Sequence, residues 1–518
     1  MNSGIKNVLY VVGTVLLLLA AGYFIAGPLV RRKVDTALRQ LPPSLRVSYS
    51  RIDVGVLTGS VIIHGLVVKF VPGADSLHAH RLTIDRVAVS GIRFWKLVSS
   101  KTFGAVKLLV EGCSADLDQE LLEKDLPFPK VELPFTAAFI DRVEWKDVRV
   151  EAHKGERKVA FLKGGGEIDS IAFEDGSGHW GAMRLLAEEI RYTIPGAQEL
   201  VHISDLRLDS RKKELSVDTL RILPAMDKLE MGRIKGHQVD CVEATSEGLR
   251  VSGLDVMALL KHRLIADEIS IRETRAHVFR DRRLPLESGK KPMPAEFLKG
   301  LPVSVRVRMV KIGTTNFAYE EFPKKGNKTG ELKIVRLKGT ISPLINHPEA
   351  GDPAYIIMKM EGSLMGSGSV DATTRIPLRA GDPYEVEGAF HELDVTTLNN
   401  PAENLGGLHL ESGKLNSLAF WFRMNDEKAT GKIIGEYHDL VVDKLRGNSD
   451  EKKVDKVKSF FLKKLIIPKN KDHSLAESKR TGKVDYKHDP NRNFSYYLLH
   501  SLLVGVKSSF SLGFLLPG

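Results

Sequence analysis

Few residues in this chain have types and spacing that chemistry could use. His78 and His80 sit one residue apart, so a strand would turn both imidazoles to one side, as two metal ligands require. No third ligand follows nearby, and an ordinary surface strand or loop accounts for the pair. Gly164, Gly165 and Gly166 lack the Lys-Ser/Thr and the helix of a phosphate loop, and read as a turn. Glu320 and Glu321 are adjacent carboxylates expected at a strand edge or turn, facing water. Cys113 and Cys241 match no zinc or CxxC spacing and leave one disulfide or two free thiols open. Neither GxSxG nor HExxH occurs. The expectation is a protein without catalytic residues, metal or cofactor.

What must position side chains in such a protein is a sheet. The 518 residues are 42% apolar, which supports a packed core and excludes wholesale disorder. The net charge of +11, from 76 basic and 65 acidic residues, is spread along the chain, and no nucleic-acid motif accompanies it. Beyond residue 45 the dominant period is two. "RVSYSRIDVGVLTGSVIIHGLVVKF" (46–70) alternates around Thr58-Gly59, and Leu66, Val68 and Phe70 share one face. A loose repeat follows: apolar-x-apolar, a polar or small turn, apolar-x-apolar. It begins at Leu108, Val143, Ile269 and Val310, without a fixed period. The fold expected is mainly β, a long curved antiparallel sheet forming a groove or half-pipe, with few helices.

Residues 8–27, VLYVVGTVLLLLAAGYFIAG, contain no charge over a length that crosses a bilayer. They are expected to be a transmembrane anchor, followed by a helical stem at 28–45. Lys6 precedes the span and Arg31, Arg32 and Lys33 follow it. Charge alone leaves its orientation open, because long domains translocate largely regardless of flanking charge. At the other end, Val454, Val457, Phe461 and Leu465 fall at helical spacing among six lysines in 450–466. That stretch is expected to be an amphipathic helix, either capping the sheet or lying on a membrane surface. Residues 494–514 are apolar but short, a buried or interfacial segment. A short helix is expected within 253–260, and loops at 283–300, 322–330 and 468–493.

"LHLESGKLNSLAFWFRM" (408–424) carries the strongest alternation. It reads as a hairpin turning at Ser412-Gly413-Lys414, with Leu408, Leu410, Leu418, Phe420 and Phe422 on one face and Met424 continuing it. A two-residue turn would split the set, since a slip of one reverses every side chain. That face meets either a second sheet, as in a sandwich, or acyl chains.

The anchor, the stem and "VSYSRIDVGVLTGSVIIHGLVVKF" (47–70), with His64-Gly65-Leu66, resemble the opening of AsmA-like proteins. Residues 390–442 resemble the C-terminal region of that family. The matching pieces are Asp394, Val395, Leu398 and Pro401; Ser412, Gly413 and Leu415; and Gly435, Tyr437, Asp439 and Leu440. The resemblance covers about a quarter of the chain and implies an inner-membrane anchor with the body in the periplasm. It also implies phospholipids as partners, held on an apolar concave face and moved between membranes in support of outer-membrane integrity. The alternative is an anchored β scaffold that binds other envelope proteins without lipid. The organisation expected is a tail (1–7), anchor (8–27), stem (28–45), N-terminal β body (46–282), linker (283–300), C-terminal β body (301–445) and a terminal segment (446–518).

Overall fold

The computed structural model describes residues 45–55, 58–70, 80–93, 100, 102–118, 137–154, 157–174, 177–194, 199–446, 453–454 and 479–509. The expected anchor, the stem up to residue 44, His78, Val457, Phe461 and Leu465 lie outside them. The described part is mainly β, mostly antiparallel, with few helices. It divides into two compact units, Met1–Leu220 with Leu254–Lys261, and Arg221–Gly253 with His262–Gly518.

The first unit holds β1 (Leu45–Ser48), β2 (Arg51–Gly55), β3 (Ser60–Phe70), β4 (His80–Ser90), β5 (Thr102–Asp118), β6 (Ala137–Lys154) and β7 (Arg157–Ile168). The short β8 (Ile171–Glu174) and β9 (Ser177–Trp180), then β10 (Met183–Thr193) and β11 (Glu199–Asp209), complete it. β12 (Glu214–Pro224) contains the boundary between the units. Both β1 and β2 pair with β3, and β3, β4 and β5 run antiparallel. β5 and β6 are parallel, and β6, β7, β10 and β11 are again antiparallel neighbours.

The second unit begins with helix α1 (Lys228–Lys235), whose N-cap Asp227 accepts the Leu229 N–H and whose C-cap Gly236 is left-handed. Then come β13 (Asp240–Ser252) and β14 (Arg263–Asp281), separated by α2 (Val256–Leu259), which belongs to the first unit. Helix α3 (Pro294–Lys299) lies in the stretch expected as a linker. β15 (Ser304–Phe322), β16 (Gly330–Ser342), β17 (Leu344–Ile345), β18 (Tyr355–Leu364), β19 (Gly368–Pro377) and β20 (Tyr384–Asp394) follow. After helical turns at 395–406 come β21 (Leu408–Met424), β22 (Lys428–Arg446), β23 (Lys453–Val454), β24 (Lys479–Lys487) and α4 (Phe494–Ser509). β14 and β15 are parallel. From β15 the antiparallel order runs β16, β18, β19, β20, β21, β22, β24.

Five expectations are corrected here. The apolar repeats are not hairpins: each lies inside one long strand. Leu108 and Val143 are direct partners in the parallel β5–β6 pair, and Ile269 and Val310 in the parallel β14–β15 pair. Likewise 408–424 is one strand, β21, whose pairing with β22 shifts at Leu410/Ser412, Ser412/Lys414 and Leu415/Ser417. The reason is the spacing. Val143 and Trp145 are followed by Val148 and Val150, a step of three that reverses the alternation. Asp147, left-handed at φ 50, absorbs the step as a bulge, so all four stay on one side. Gly65, left-handed at φ 59, also brings Ile63 and Leu66 to one side, here without a shift of register against β4. Third, Gly164–Gly166 is no turn but mid-strand β7, squeezed between β6 and β10. A Cβ on Gly164 would meet the Leu186 carbonyl at 2.2 Å, and one on Gly166 the Trp145 ring at 2.5 Å. Further, the expected loop at 468–493 contains β24, and Val454 pairs with Leu445 as a strand residue rather than a helical one.

Candidate functional site

Residues directly opposite in a ladder share a face, so the registers trace each face across its sheet. In the second unit one row reads Val251, Ile269, Val310, Ile341, Met358, Thr374, Val386, Phe422, Gly431, Val484. The next reads Ile271, Ile312, Gly339, Met360, Ala372, Gly388, Phe420, Ile433, Gly482. The first contains one hydroxyl, and neither contains a charge. The other face is ionic: Lys311 reaches Glu268 at 2.7 Å, Arg423 reaches Glu385 at 2.9 Å, and Arg375 lies between Glu385 and Glu387. These exposed pairs contribute little stability each, but they keep that face in water.

The apolar face is unevenly covered. At β20–β24 it is closed by α4, which packs on Tyr384, Val386, Phe420, Phe422, Met424, Ile433 and Val484. Tyr497 on α4 is fully buried and donates its hydroxyl to the Asn425 carbonyl at 3.1 Å. His488 stacks on it at 4.3 Å. Small residues allow the approach: Gly505 meets Val484 and Ile433, and Gly482 lies against the Gly505 carbonyl. His500 stacks on Tyr496 at 3.7 Å, and burial, then the cations of Arg282, Lys507 and Arg492, hold its pKa below 6.5, the ordinary histidine value. Toward β13–β18 the face is only half-buried at Ile269, Ile271, Ile312, Met358 and Met360.

The sequence candidates fall accordingly. Phe420, Phe422 and Met424 lie in the closed core with Leu418 beside them. Leu408 and Leu410 are half-buried, and Leu410 is clamped by Asn399, which accepts its N–H at 2.8 Å and donates to its carbonyl at 2.9 Å. Leu66 and Val68 are buried in the first unit, in a cluster with Leu82, Ile84 and Leu117, and Phe70 ends β3 opposite His80. The half-buried Met358 and Met360 were not singled out from sequence, and Ile312 only as part of the repeat that begins at Val310. Their signal was there, in the alternation of "YIIMKMEGSL" (355–364) and the bulged spacing of β15, but Met is rare in strand patterns.

Glu320 and Glu321 correct the expectation of solvated carboxylates, since Glu321 is buried in β15. Beyond the bulged row, the apolar face continues through Ala276, Phe317 and Ile334. Gly362 locates this side: a Cβ there would touch both Leu337 and Ile334. The same alternation brings Asp240, Arg280, Tyr319 and Glu321 to this face. Arg280 donates to both Asp240 oxygens at 2.7 and 2.6 Å. Glu321 accepts from Arg282 Nη1 at 2.9 Å and from the Tyr319 hydroxyl at 2.8 Å. Burial, then the Glu321 carboxylate, push the Tyr319 phenol above its usual range. Burial opposes the Arg280 charge, but the Asp240 bonds outweigh it and hold the guanidinium above its ordinary value. On the other face of these strands α1 packs Met231 against Cys241 and Phe279.

In the first unit the corresponding row reads Val87, Val110, Trp145, Gly166, Leu185, Leu208. A trough of about 810 Å³ lies around the bare backbone of Gly164–Gly166, lined by Glu144, Lys146, Arg184, Leu186, Glu188 and Arg207 among others. Neither cysteine is in a disulfide, and burial, then Asp85, push the Cys113 thiol up to about 11. Among the described residues no group of three or more His, Cys, Asp or Glu could hold a metal, and no helix is long and apolar enough to cross a membrane. No protein-family model, curated protein or solved structure matches the chain.

Proposed function

We propose that this chain is a membrane-anchored envelope protein that holds phospholipid acyl chains on the apolar face of its sheet and helps move them between membranes. The observation that carries the reading is the uncharged face running unbroken over nine strands of the second unit, half-buried at Ile312, Met358 and Met360 and opposite a face of ion pairs. A soluble sheet with an uncovered apolar face needs something apolar upon it. Acyl chains suit the role, each buried methylene contributing about 0.8 kcal/mol. The charge-free stretch at 8–27 and the likeness of 47–70 and 390–442 to AsmA-like proteins support the anchor and the periplasmic setting.

A second reading, an anchored β scaffold without lipid, draws on the closed end. Phe422 and Met424, the residues first suspected of touching lipid, form an ordinary protein core with α4. One experiment separates the two. The full-length protein is purified and its bound lipid counted by mass spectrometry beside a Met358→Asp/Met360→Asp variant. Stoichiometric phospholipid on the wild type and its loss from a folded variant support transfer. Equal lipid on both, or none on either, leaves the scaffold.

A further inference from the structure

The connections along the antiparallel run from β15 to β22 alternate between the two ends of its strands. The two ends differ in charge. At one end, residues 343–354, 378–383 and 425–427 hold Glu349, Asp352, Asp382, Asp426 and Glu427 against Arg379 alone, and Arg306 pairs with the first two. At the other end, residues 323–329, 365–367 and 395–407 hold Lys324, Lys325 and Lys328 against Glu403 alone, and Glu403 is already bound to His409 at 2.6 Å. Residues 324–328 are exposed throughout. The carboxylates at the base of this loop are taken: Glu320 by Lys228 at 2.7 Å, Glu321 by Arg282 at 2.9 Å and Glu331 by Lys333 at 2.8 Å. Lys324 and Lys328 form no ion pair among the described residues. An apolar side chain is built in beside them. Asn400 Oδ1 accepts the Glu331 N–H at 2.6 Å and Asn404 Nδ2 donates to the Thr329 carbonyl at 2.7 Å, which fixes the helical turns at 395–406 on the base of the loop. Gly330 faces the apolar side with Glu321, its partner across the ladder, and a Cβ there would stand 2.4 Å from Leu405 Cγ. Leu405 therefore lies over the end of the apolar face, yet remains 39% exposed.

We propose that this end of the second unit docks on an anionic phospholipid bilayer, with the three lysines on lipid phosphates and Leu405 entering the interface. Each lysine near an anionic surface strengthens binding about fivefold, and the attraction falls off within a Debye length. Charge alone would suit any acidic partner. The half-exposed leucine seated beside the charge suits a bilayer, whose interface takes up apolar side chains next to cationic ones. The opposite end, with Asp382, Asp426 and Glu427, would be repelled. The proposal rests on the lipid reading above for the use of docking: acyl chains leaving the bilayer would pass Leu405 onto the row of Phe317, Ile334 and Leu364. It adds the docking end and the charge of the lipid surface, which that reading does not require.

In the test, full-length protein is fixed on beads by an N-terminal tag, freed of detergent, and offered fluorescent vesicles of phosphatidylcholine alone or mixed with phosphatidylglycerol. The wild type is expected to capture the mixed vesicles, and less as salt is raised. Lys324→Ser/Lys325→Ser/Lys328→Ser is expected to lower that capture roughly a hundredfold. Leu405→Ser should lower it roughly fivefold. Lys338→Ser/Lys359→Ser/Lys432→Ser removes as much charge from exposed positions on the ionic face and should leave capture unchanged. Circular dichroism checks that each variant is folded. Equal capture of both vesicles by the wild type, no capture at all, or equal losses in the two triple variants would overturn the docking assignment. Capture unchanged in Leu405→Ser would give the lysines to a soluble acidic partner and overturn the bilayer. Counting co-purified lipid separates the readings. A wild type that holds lipid but captures no vesicles loses only the docking end, and one that captures vesicles but holds no lipid loses only the lipid reading.

Discussion

Gly388 lies beneath the ring of Phe420. A Cβ built on the glycine would stand 2.7 Å from Phe420 Cζ and 2.3 Å from the Asp371 carbonyl. The ring reaches 5.7 Å from Phe390 and 5.9 Å from Phe422, so the missing side chain is what lets three aromatic rings share the β20–β21 ladder. Gly388→Ala is therefore expected to destabilise the second unit by about 1–3 kcal/mol through overpacking. Urea denaturation followed by circular dichroism would reveal it, and an unchanged midpoint would show that the ring can move aside.

Phe422 and Met358 sit in one row but in different surroundings, one under α4 and one half-buried. Phe422→Ala should cost about 3–5 kcal/mol, as deletion of a core aromatic does. Met358→Ala should cost far less and should reduce bound lipid instead. Thermal melts and lipid counts on the two variants would check this, and equal losses of stability would mean that the face is closed throughout.

His500 supplies a pH dependence. Burial first, then Arg282, Lys507 and Arg492, hold its pKa below the ordinary 6.5 when α4 is docked. A histidine depressed in the folded state contributes fully above its unfolded value and loses that contribution as pH falls below it. Docking of α4 should therefore be strongest above about pH 6.5 and weaken below, and His500→Phe should flatten the profile. NMR titration of α4 amides would follow it; a profile unaltered in His500→Phe would assign the dependence to other groups.

Arg336 occupies the left-handed region at φ 52 in a bulge of β16, where its N–H is taken by Asn316 Oδ1 at 3.1 Å. Replacing it with glycine keeps that backbone bond and removes the cost of a side chain in this region, about 1 kcal/mol. Arg336→Gly should leave stability equal or slightly raised, whereas Arg336→Val should lower it by at least as much. Melting temperatures of the pair decide whether the bulge is a local requirement.

The β class of the chain was readable because alternation is dense in β3, β21 and most strands between. What was not readable was the phase. A step of three, as from Trp145 to Val148, can be a turn or a bulge, and sequence alone does not say which partner a strand will find. In the event the repeat matched Leu108 with Val143 because those residues lie side by side in a parallel pair, a contact made over thirty-five residues of chain. The same limit hid the site. Phe422 and Met424 have the stronger pattern, but a helix sixteen residues long covers them. Arg280 and Asp240 belong together only through pairing of β13 with β14.

One property of α4 bears on how copies of the chain behave together. β24 pairs with β22 on one side, and among the described residues no strand occupies its other side. There the Lys483 N–H is given to Ser508 Oγ at 3.1 Å, and Gly482 is pressed against the Gly505 carbonyl. The helix thus occupies one donor that another strand would otherwise recruit. Loss of α4 would leave an adhesive ladder at the margin of a large sheet, and truncated copies should polymerise edge to edge rather than remain separate.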